Sequence, residues 1–161
     1  MTETPRDPDY EQRVRESFAR QAAMATIGAT IVHVTPGEVV VELPFRPELT
    51  QQHGFLHAGI ITSVLDSACG YAALTLMERG AAVLSVEFKV NLLAPARGNR
   101  FRAIGRVVRA GRTVTVVSGE LRLIETEGER RSAASLDLTG SLVAIMTGTM
   151  MSIRDRPGLA D

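Results

Sequence analysis

The chain has 161 residues, and 45% of them are hydrophobic, which is enough for one domain with a substantial core. Its 18 basic and 18 acidic side chains cancel, and this balance argues against nucleic-acid or membrane-surface binding. The single cysteine, Cys69, excludes an internal disulfide framework and a CxxC metal site. No apolar run is long enough to span a membrane, and the polar start lacks a secretory signal. We therefore expect a cytoplasmic protein.

The first half of the chain contains two stretches with helical spacing and a hairpin between them. Val14, Phe18 and Ala22 recur at intervals of four residues, which predicts a short amphipathic helix. Pro36 and Gly37 occupy the centre of a turn in the order typical of type II. In chain order, we predict a loose tail at 1–9, a helix at 13–24, strands at 29–34 and 39–43, a loop at 48–56 and a long helix at 57–77.

The second half of the chain favours strands, because β-branched and other apolar residues fill long runs. The predicted strands are 82–93, 100–109, 113–124 and 142–153, with a polar loop at 125–140 and a loose tail at 154–161. This order predicts an α+β fold in which one antiparallel sheet wraps around one long central helix, in a single domain at 10–153. The free edge of such a sheet is a liability that pairing across a two-fold axis would remove.

The strongest functional signal is a turn at the start of the long helix, followed by one acid within it. The turn is His57-Ala58-Gly59, and backbone N–H groups at a helix start can hold an oxygen that gains negative charge. Asp66 is the only acid in the predicted helix, and a buried carboxylate is costly unless it is hydrogen-bonded or used. An oxyanion-binding turn and an acid are the minimum set of groups needed to hydrolyse an acyl compound.

Structural explanations of the same residues remain open at this stage. Asp66 could be solvated or could cap a neighbouring group. His53 and His57 could be ordinary hydrogen-bonded loop histidines. They lie four residues apart, but no third ligand is near them in the sequence, so we expect no metal site.

Residues 12–153 resemble the hotdog-fold acyl-CoA thioesterases, specifically the PaaI-like branch linked to phenylacetate degradation. Family members carry Asn or Gln, then Gly-x-x-His-Gly-Gly, then an acid nine residues after the His. The matching residues here are Gln51, Gly54, the turn 57–59 and Asp66. The stretches 85–98 and 105–112 are also similar to the family. One position departs from it, since Ala58 replaces the first Gly of the turn.

The resemblance implies hydrolysis of an acyl- or aryl-acyl-CoA to the free acid and coenzyme A, with no cofactor besides the coenzyme A of the substrate. The Ala58 N–H would hold the thioester oxygen, with Gly59 completing the turn. Asp66 would activate water or attack the carbonyl itself, and the sequence leaves both routes open. Gln51 would position the water or the thioester. His57 would fix the turn by hydrogen bonds.

The resemblance also implies residues that contact the substrate, and a shared site. Each has a structural alternative, namely a core position for Tyr71 and Leu74, a strand end for Asn91 and solvation for the arginines. We expect a homodimer or homotetramer whose pockets lie between subunits, and no nucleic-acid or membrane partner. The acyl group would meet Gly70, Tyr71, Leu74 and Ser85, the pantetheine arm Asn91, and the phosphates Arg97, Arg109 and Arg112.

Two other functions occur on this fold. Hydratases carry an Asp and a His about five residues apart in a different loop, and that motif is not found here. A non-catalytic acyl-CoA-binding protein is the second alternative. Release of thiol from coenzyme A esters distinguishes an enzyme from a binder.

Overall fold

The computed structural model describes residues 4–124, 140–156 and 158–159. Most of the predicted loop at 125–140 and parts of both predicted tails lie outside these residues. The helices are α1 (Tyr10–Ala19), α2 (Ala22–Ile27) and α3 (Ala58–Leu74), with a short 3₁₀ helix at Pro47–Leu49. The strands are β1 (Thr30–Thr35), β2 (Glu38–Pro44), β3 (Ala82–Leu92), β4 (Arg100–Ala110), β5 (Val114–Ile124) and β6 (Ser141–Ile153).

The strands form one six-stranded antiparallel sheet in the order β1-β2-β4-β5-β6-β3, and α3 packs against its face. This confirms the predicted α+β arrangement of one antiparallel sheet and one long helix. Strand β3 is 11 residues long and forms one edge of the sheet. Within the described residues, no helix is both long and apolar enough to cross a membrane.

Two glycines allow α3 to lie directly against the sheet. Gly105 on β4 and Gly119 on β5 are cross-strand partners. A Cβ at Gly105 would lie 2.3 Å from the backbone of Ala68, and one at Gly119 would lie 2.8 Å from Cys69 Sγ. Because no side chain fits at either position, the helix backbone makes close contact with the strands. This contact fixes the rotation of α3, and with it the face on which Asp66 lies.

The predicted helix at 13–24 is wrong, because the chain breaks into α1 and α2 at Gln21. Gln21 has an extended backbone with φ −76° and ψ 96°. Val14 and Phe18 of α1 are buried, and so is Ile27 of α2. At about 100° per residue, a continuous helix would place Ile27 on the side opposite Val14. The break lets both segments bury their apolar side chains.

The predicted loose tail is wrong at Asp7, which is buried and anchors the start of the chain. Its carboxylate pairs with Arg13 at 3.2 Å and Arg79 at 3.1 Å. Arg13 in turn donates to the carbonyls of Leu74 and Met77 at 2.8 and 3.0 Å. These bonds attach α1 to the end of α3 and to the turn that follows it. The sequence also overextends α3, which begins at Ala58 and ends at Leu74.

We expect Asp7→Asn to lower the free energy of unfolding at pH 7 by about 1–3 kcal/mol, as for buried charge-assisted hydrogen bonds. Burial raises the pKa of Asp7, but a hydrogen bond from the Asp9 N–H and the charges of Arg13 and Arg79 outweigh it and hold the pKa below its ordinary value. A lowered pKa stabilises the fold above the unfolded-state pKa, and that contribution is lost as pH falls through the folded-state pKa.

Urea unfolding at pH 7 and at pH values below 4 tests this expectation. The difference between wild type and Asp7→Asn should shrink as the pH falls. Asp155→Asn is the matched control, because Asp155 is exposed. A difference that is constant across the pH range would show that the Asp7 charge does not stabilise the fold.

Candidate active site

The first turn of α3 has one backbone donor that the described residues leave unused. His57 caps the helix, and its Nδ1 accepts the Gly59 N–H at 2.9 Å. The N–H groups of Ile60 and Ile61 donate to the carbonyl of His57 at 3.0 and 3.2 Å. Within the described part of the chain, the Ala58 N–H has no such acceptor. It is therefore free to donate to a ligand at the positive end of the helix dipole.

The local geometry favours glycine at position 59 and accepts alanine at position 58. A Cβ at Gly59 would lie 3.1 Å from His57 Nδ1, so a side chain there would displace the capping ring. Asp155 is the only non-glycine residue with positive φ among those described, so Ala58 has negative φ. The departure from the family's Gly at position 58 thus leaves the backbone donor in place. The His57 ring binds its own turn, as the resemblance implies.

Gln51 also stabilises its own loop. Its Oε1 accepts the His53 N–H, and its backbone N–H donates to Phe55 O at 2.8 Å. Gly54 completes this loop with φ +78°, a conformation that side chains rarely adopt. The loop is joined to the segment before β4 by a bond from Leu56 N–H to Ala96 O at 2.9 Å. Gln51 therefore shapes the entrance to the helix turn.

Asp66 is half-buried, and β3 orients it. Ser85 Oγ donates to Asp66 Oδ1 at 2.6 Å, which leaves Oδ2 available for chemistry. Asp66 also affects Cys69, three residues further along α3. Burial and the Asp66 charge raise the pKa of the Cys69 thiol to about 12. Cys69 is therefore a protonated core residue and not a nucleophile.

A cleft of about 340 Å³ opens beside Asp66, between α3 and the edge strand β3. Gly70 and Tyr71 line it, and the Tyr71 hydroxyl bonds Ser17 Oγ at 3.2 Å. Leu74 does not line this cleft and is fully buried in the core, and its predicted contact with the acyl group stays a prediction. The lining residues are Gln21, Asp66, Ser67, Gly70, Tyr71, Val83, Leu84 and Ser85.

Sequence reasoning missed Gln21 and Ser67 in the cleft wall. Ser67 Oγ donates to Gln21 Oε1 at 3.1 Å. The position of Ser67 beside Asp66 in the sequence was a usable signal. Gln21 gave none, because it falls inside the predicted helix and meets Ser67 only through the fold.

The predicted coenzyme A contacts lie at two ends of the molecule. Arg97 follows Ala96, which contacts the loop at the start of α3. Asn91 lies near the end of β3 that leads into this segment. Arg109 and Arg112 lie in the β4–β5 hairpin, beside the other end of α3. That end is identified by bonds from Val107 N–H to Gly37 O and from Gly37 N–H to Thr75 Oγ1, at 2.8 and 2.7 Å. One chain does not bring these four residues together.

The two candidate catalytic groups are also separated within one chain. Ala58 and Asp66 are eight positions apart in α3, which is about 12 Å along the axis at ~1.5 Å per residue. A carbonyl oxygen must lie about 3 Å from its donor while its carbon meets the nucleophile. One chain therefore provides half of a site at each of two places.

Comparison with known proteins identifies the family. The model of the thioesterase superfamily matches residues 53–128, which include the turn at 57–59 and Asp66. The crystal structure of a thioesterase family protein from Silicibacter pomeroyi is 51% identical, with a TM-score of 0.80. That similarity covers 89% of this chain and 98% of the other. The PaaI protein of the E. coli phenylacetic acid degradation operon is 19% identical, with a TM-score of 0.74, over 90% and 94% of the two chains.

Human acyl-coenzyme A thioesterase 13 is 31% identical over 93 residues, which are 57% of this chain and 66% of that protein. The chain spans just under two thirds, 65–66%, of the length of the curated relatives that it matches. The fold and these similarities define a hotdog domain. The chain belongs to the thioesterase superfamily, and the resemblance to its PaaI-like hotdog members is confirmed.

Proposed function

We propose that this protein hydrolyses acyl-CoA thioesters, with the Ala58 N–H as oxyanion donor and Asp66 as general base or nucleophile. The observation that carries the proposal is the unused Ala58 N–H at the start of α3. Family membership and an oriented carboxylate on the same helix support it. A backbone N–H at the start of a helix together with a carboxylate matches the electrostatic requirements of acyl transfer.

In the general-base route, Asp66 takes a proton from water, and the water oxygen bonds to the thioester carbonyl carbon. The electron pair moves to the carbonyl oxygen, which the Ala58 N–H stabilises. Collapse breaks the C–S bond, and the departing thiolate takes a proton to give coenzyme A and the free acid. In the nucleophilic route, Asp66 Oδ2 attacks and expels the thiolate, and water then cleaves the resulting anhydride. Incorporation of ¹⁸O into the Asp66 carboxylate after one turnover in H₂¹⁸O would identify the nucleophilic route.

Assay of thiol release from a panel of coenzyme A esters tests the proposed activity. A thiol-reactive dye follows the reaction, and calorimetry measures binding of the same esters. Hydrolysis of at least one ester above the background rate supports an enzyme. Binding without release would instead select the second candidate, a non-catalytic acyl-CoA-binding protein.

The two half-sites support a dimer whose pockets are shared. Strand β3 borders the cleft and is an unpaired edge with exposed apolar side chains, a combination that favours pairing with another strand. Antiparallel pairing of two β3 edges would bring the start of one α3 towards Asp66 of the other chain. The side chains concerned are Leu84, Val86, Phe88 and Leu92, with 52%, 54%, 43% and 52% exposed.

Mixing two inactive variants tests the shared pocket. We expect Asp66→Asn and Ala58→Pro chains to regenerate activity after subunit exchange, because a mixed dimer has one pocket with both groups intact. Statistical exchange should restore about a quarter of wild-type activity per total chain. Activity is measured by thiol release after light scattering has established a dimer or tetramer and labelled chains have demonstrated exchange. Absence of recovery after demonstrated exchange would place both groups in one chain.

The space that Gly70 leaves in the cleft should determine how large an acyl group the protein accepts. A Cβ built there meets nothing within 4 Å, so Gly70→Ala places a methyl group in the cleft without a clash. We expect the variant to gain up to about 1 kcal/mol of stability from helix propensity. We also expect its kcat/KM for bulky acyl groups to fall about tenfold, as for one methyl group in a pocket. Thermal unfolding and an acyl-length series measure both effects, with acetyl-CoA as the internal control.

A further inference from the structure

Gln21 is held rigidly in the wall of the cleft. Its backbone closes α1 through a bond from its N–H to Phe18 O at 3.0 Å. It also opens α2, because its carbonyl accepts the Ala25 N–H at 3.2 Å. Its side chain reaches α3, where Ser67 Oγ donates to Oε1 at 3.1 Å. The backbone of Gln21 therefore joins two helices, and its carboxamide contacts a third.

This arrangement leaves the amide N–H groups of Gln21 as donors in the cleft. Because Oε1 accepts from Ser67, the hydrogen-bonding capacity that remains lies mainly on Nε2. Within the described residues, Nε2 has no acceptor. A bound ligand that excludes water would leave these donors unsatisfied, at a cost in free energy, unless it carries an acceptor.

The cleft has open space between Asp66 and Gln21. Gly70 lies four residues after Asp66, on the same face of α3 and about 6 Å further along the axis. The absence of a side chain at Gly70 leaves this stretch open. An acyl chain that begins beside Asp66 can therefore lie in the cleft against the wall that Gln21 and Ser67 form.

We infer that Gln21 is a specificity-determining residue that donates a hydrogen bond from Nε2 to an oxygen on the acyl group. The inference rests on the proposed function and names its substrate class, which is acyl-CoA esters with a carbonyl or hydroxyl oxygen on the acyl chain.

Matched pairs of substrates test the inference. 4-Oxohexanoyl-CoA and 5-oxohexanoyl-CoA carry a ketone on the acyl chain, and 4-methylhexanoyl-CoA and 5-methylhexanoyl-CoA replace the ketone oxygen with a methyl group of similar size. We expect the wild-type protein to prefer the ketone in kcat/KM in at least one pair. Gln21→Met keeps the length of the side chain and removes the donor, so the preference should fall by about fivefold or more. Gln12→Met is the control, because Gln12 is an exposed residue of α1 that pairs with Glu16.

Ser67→Ala provides a second and independent variant. It removes the donor that orients Gln21, and we expect it to lower the preference for the ketone by a smaller factor. Circular dichroism and thermal unfolding verify that each variant folds. A wild-type protein without preference for the ketone in either pair, or a preference unchanged by Gln21→Met, would overturn the inference while leaving the hydrolase proposal intact.

Binding separates failure of the inference from failure of the proposed function. Calorimetry with Asp66→Asn protein gives the dissociation constants of the esters in each pair without turnover. If no ester is hydrolysed by wild-type protein, a tighter constant for the ketone that is lost on adding Gln21→Met still supports the role of Gln21. Equal constants for the two esters of each pair would contradict it.

Discussion

Asp66→Asn should fold normally, bind coenzyme A esters and lose a factor of about 10²–10⁴ in kcat, the usual contribution of a general acid–base group. The substitution keeps the shape of the side chain, and its Oδ1 can still accept from Ser85 Oγ. What it removes is the charge that takes a proton from water or attacks the carbonyl. Thiol release measures kcat, and calorimetry measures binding.

Two further variants make this result specific. Glu48→Gln also removes one carboxylate, but from an exposed side chain, and should leave kcat unchanged. Ser85→Ala leaves the Asp66 charge and removes the hydrogen bond that orients it, so kcat should fall about tenfold. If Asp66→Asn retains more than about a tenth of wild-type kcat, Asp66 does not take part in the chemistry.

Features encoded by neighbouring residues could be predicted from the sequence. The turn at 57–59 and Asp66 belong to one helix, and regular apolar spacing identifies such a helix without knowledge of the fold. The strand bounds likewise follow from β-branched runs between Gly and Pro. The structure places the six strands within one or two residues of the predicted ranges. The catalytic roles of Gln51, His57 and Asp66 stay predictions, because geometry alone does not measure chemistry.

Features that depend on distant contacts could not be predicted. Gln21 meets Ser67, which lies 46 residues away in the sequence, and Asp7 meets Arg79, which lies 72 residues away. The residues that flank Gln21 and Asp7 in the sequence give no indication of these contacts. Leu74 shows the same limit, because spacing from Asp66 gives the face of a helix but not the element that covers it. The end of α3 is covered by Arg13 of α1, which contacts the Leu74 carbonyl.

Ala58→Pro should remove most turnover while keeping the fold, because proline has no N–H to donate. Loss of one oxyanion donor costs about 10²–10³ in kcat, or roughly 2.7–4 kcal/mol of transition-state stabilisation. Position 58 is the first residue of α3, where proline is well tolerated. His57 already has the extended backbone that a following proline requires, with φ −61° and ψ 138°.

Ala58→Gly is the matched control, because it changes the side chain and keeps the N–H. It should change kcat by less than about tenfold. Circular dichroism and thermal unfolding must show that Ala58→Pro retains α3, and calorimetry should show that it still binds coenzyme A esters. Under those conditions the two variants differ in the N–H group and in backbone freedom at one residue. A folded Ala58→Pro protein with near wild-type kcat would mean that the turn at 57–59 is structural. The carbonyl oxygen would then need a different donor.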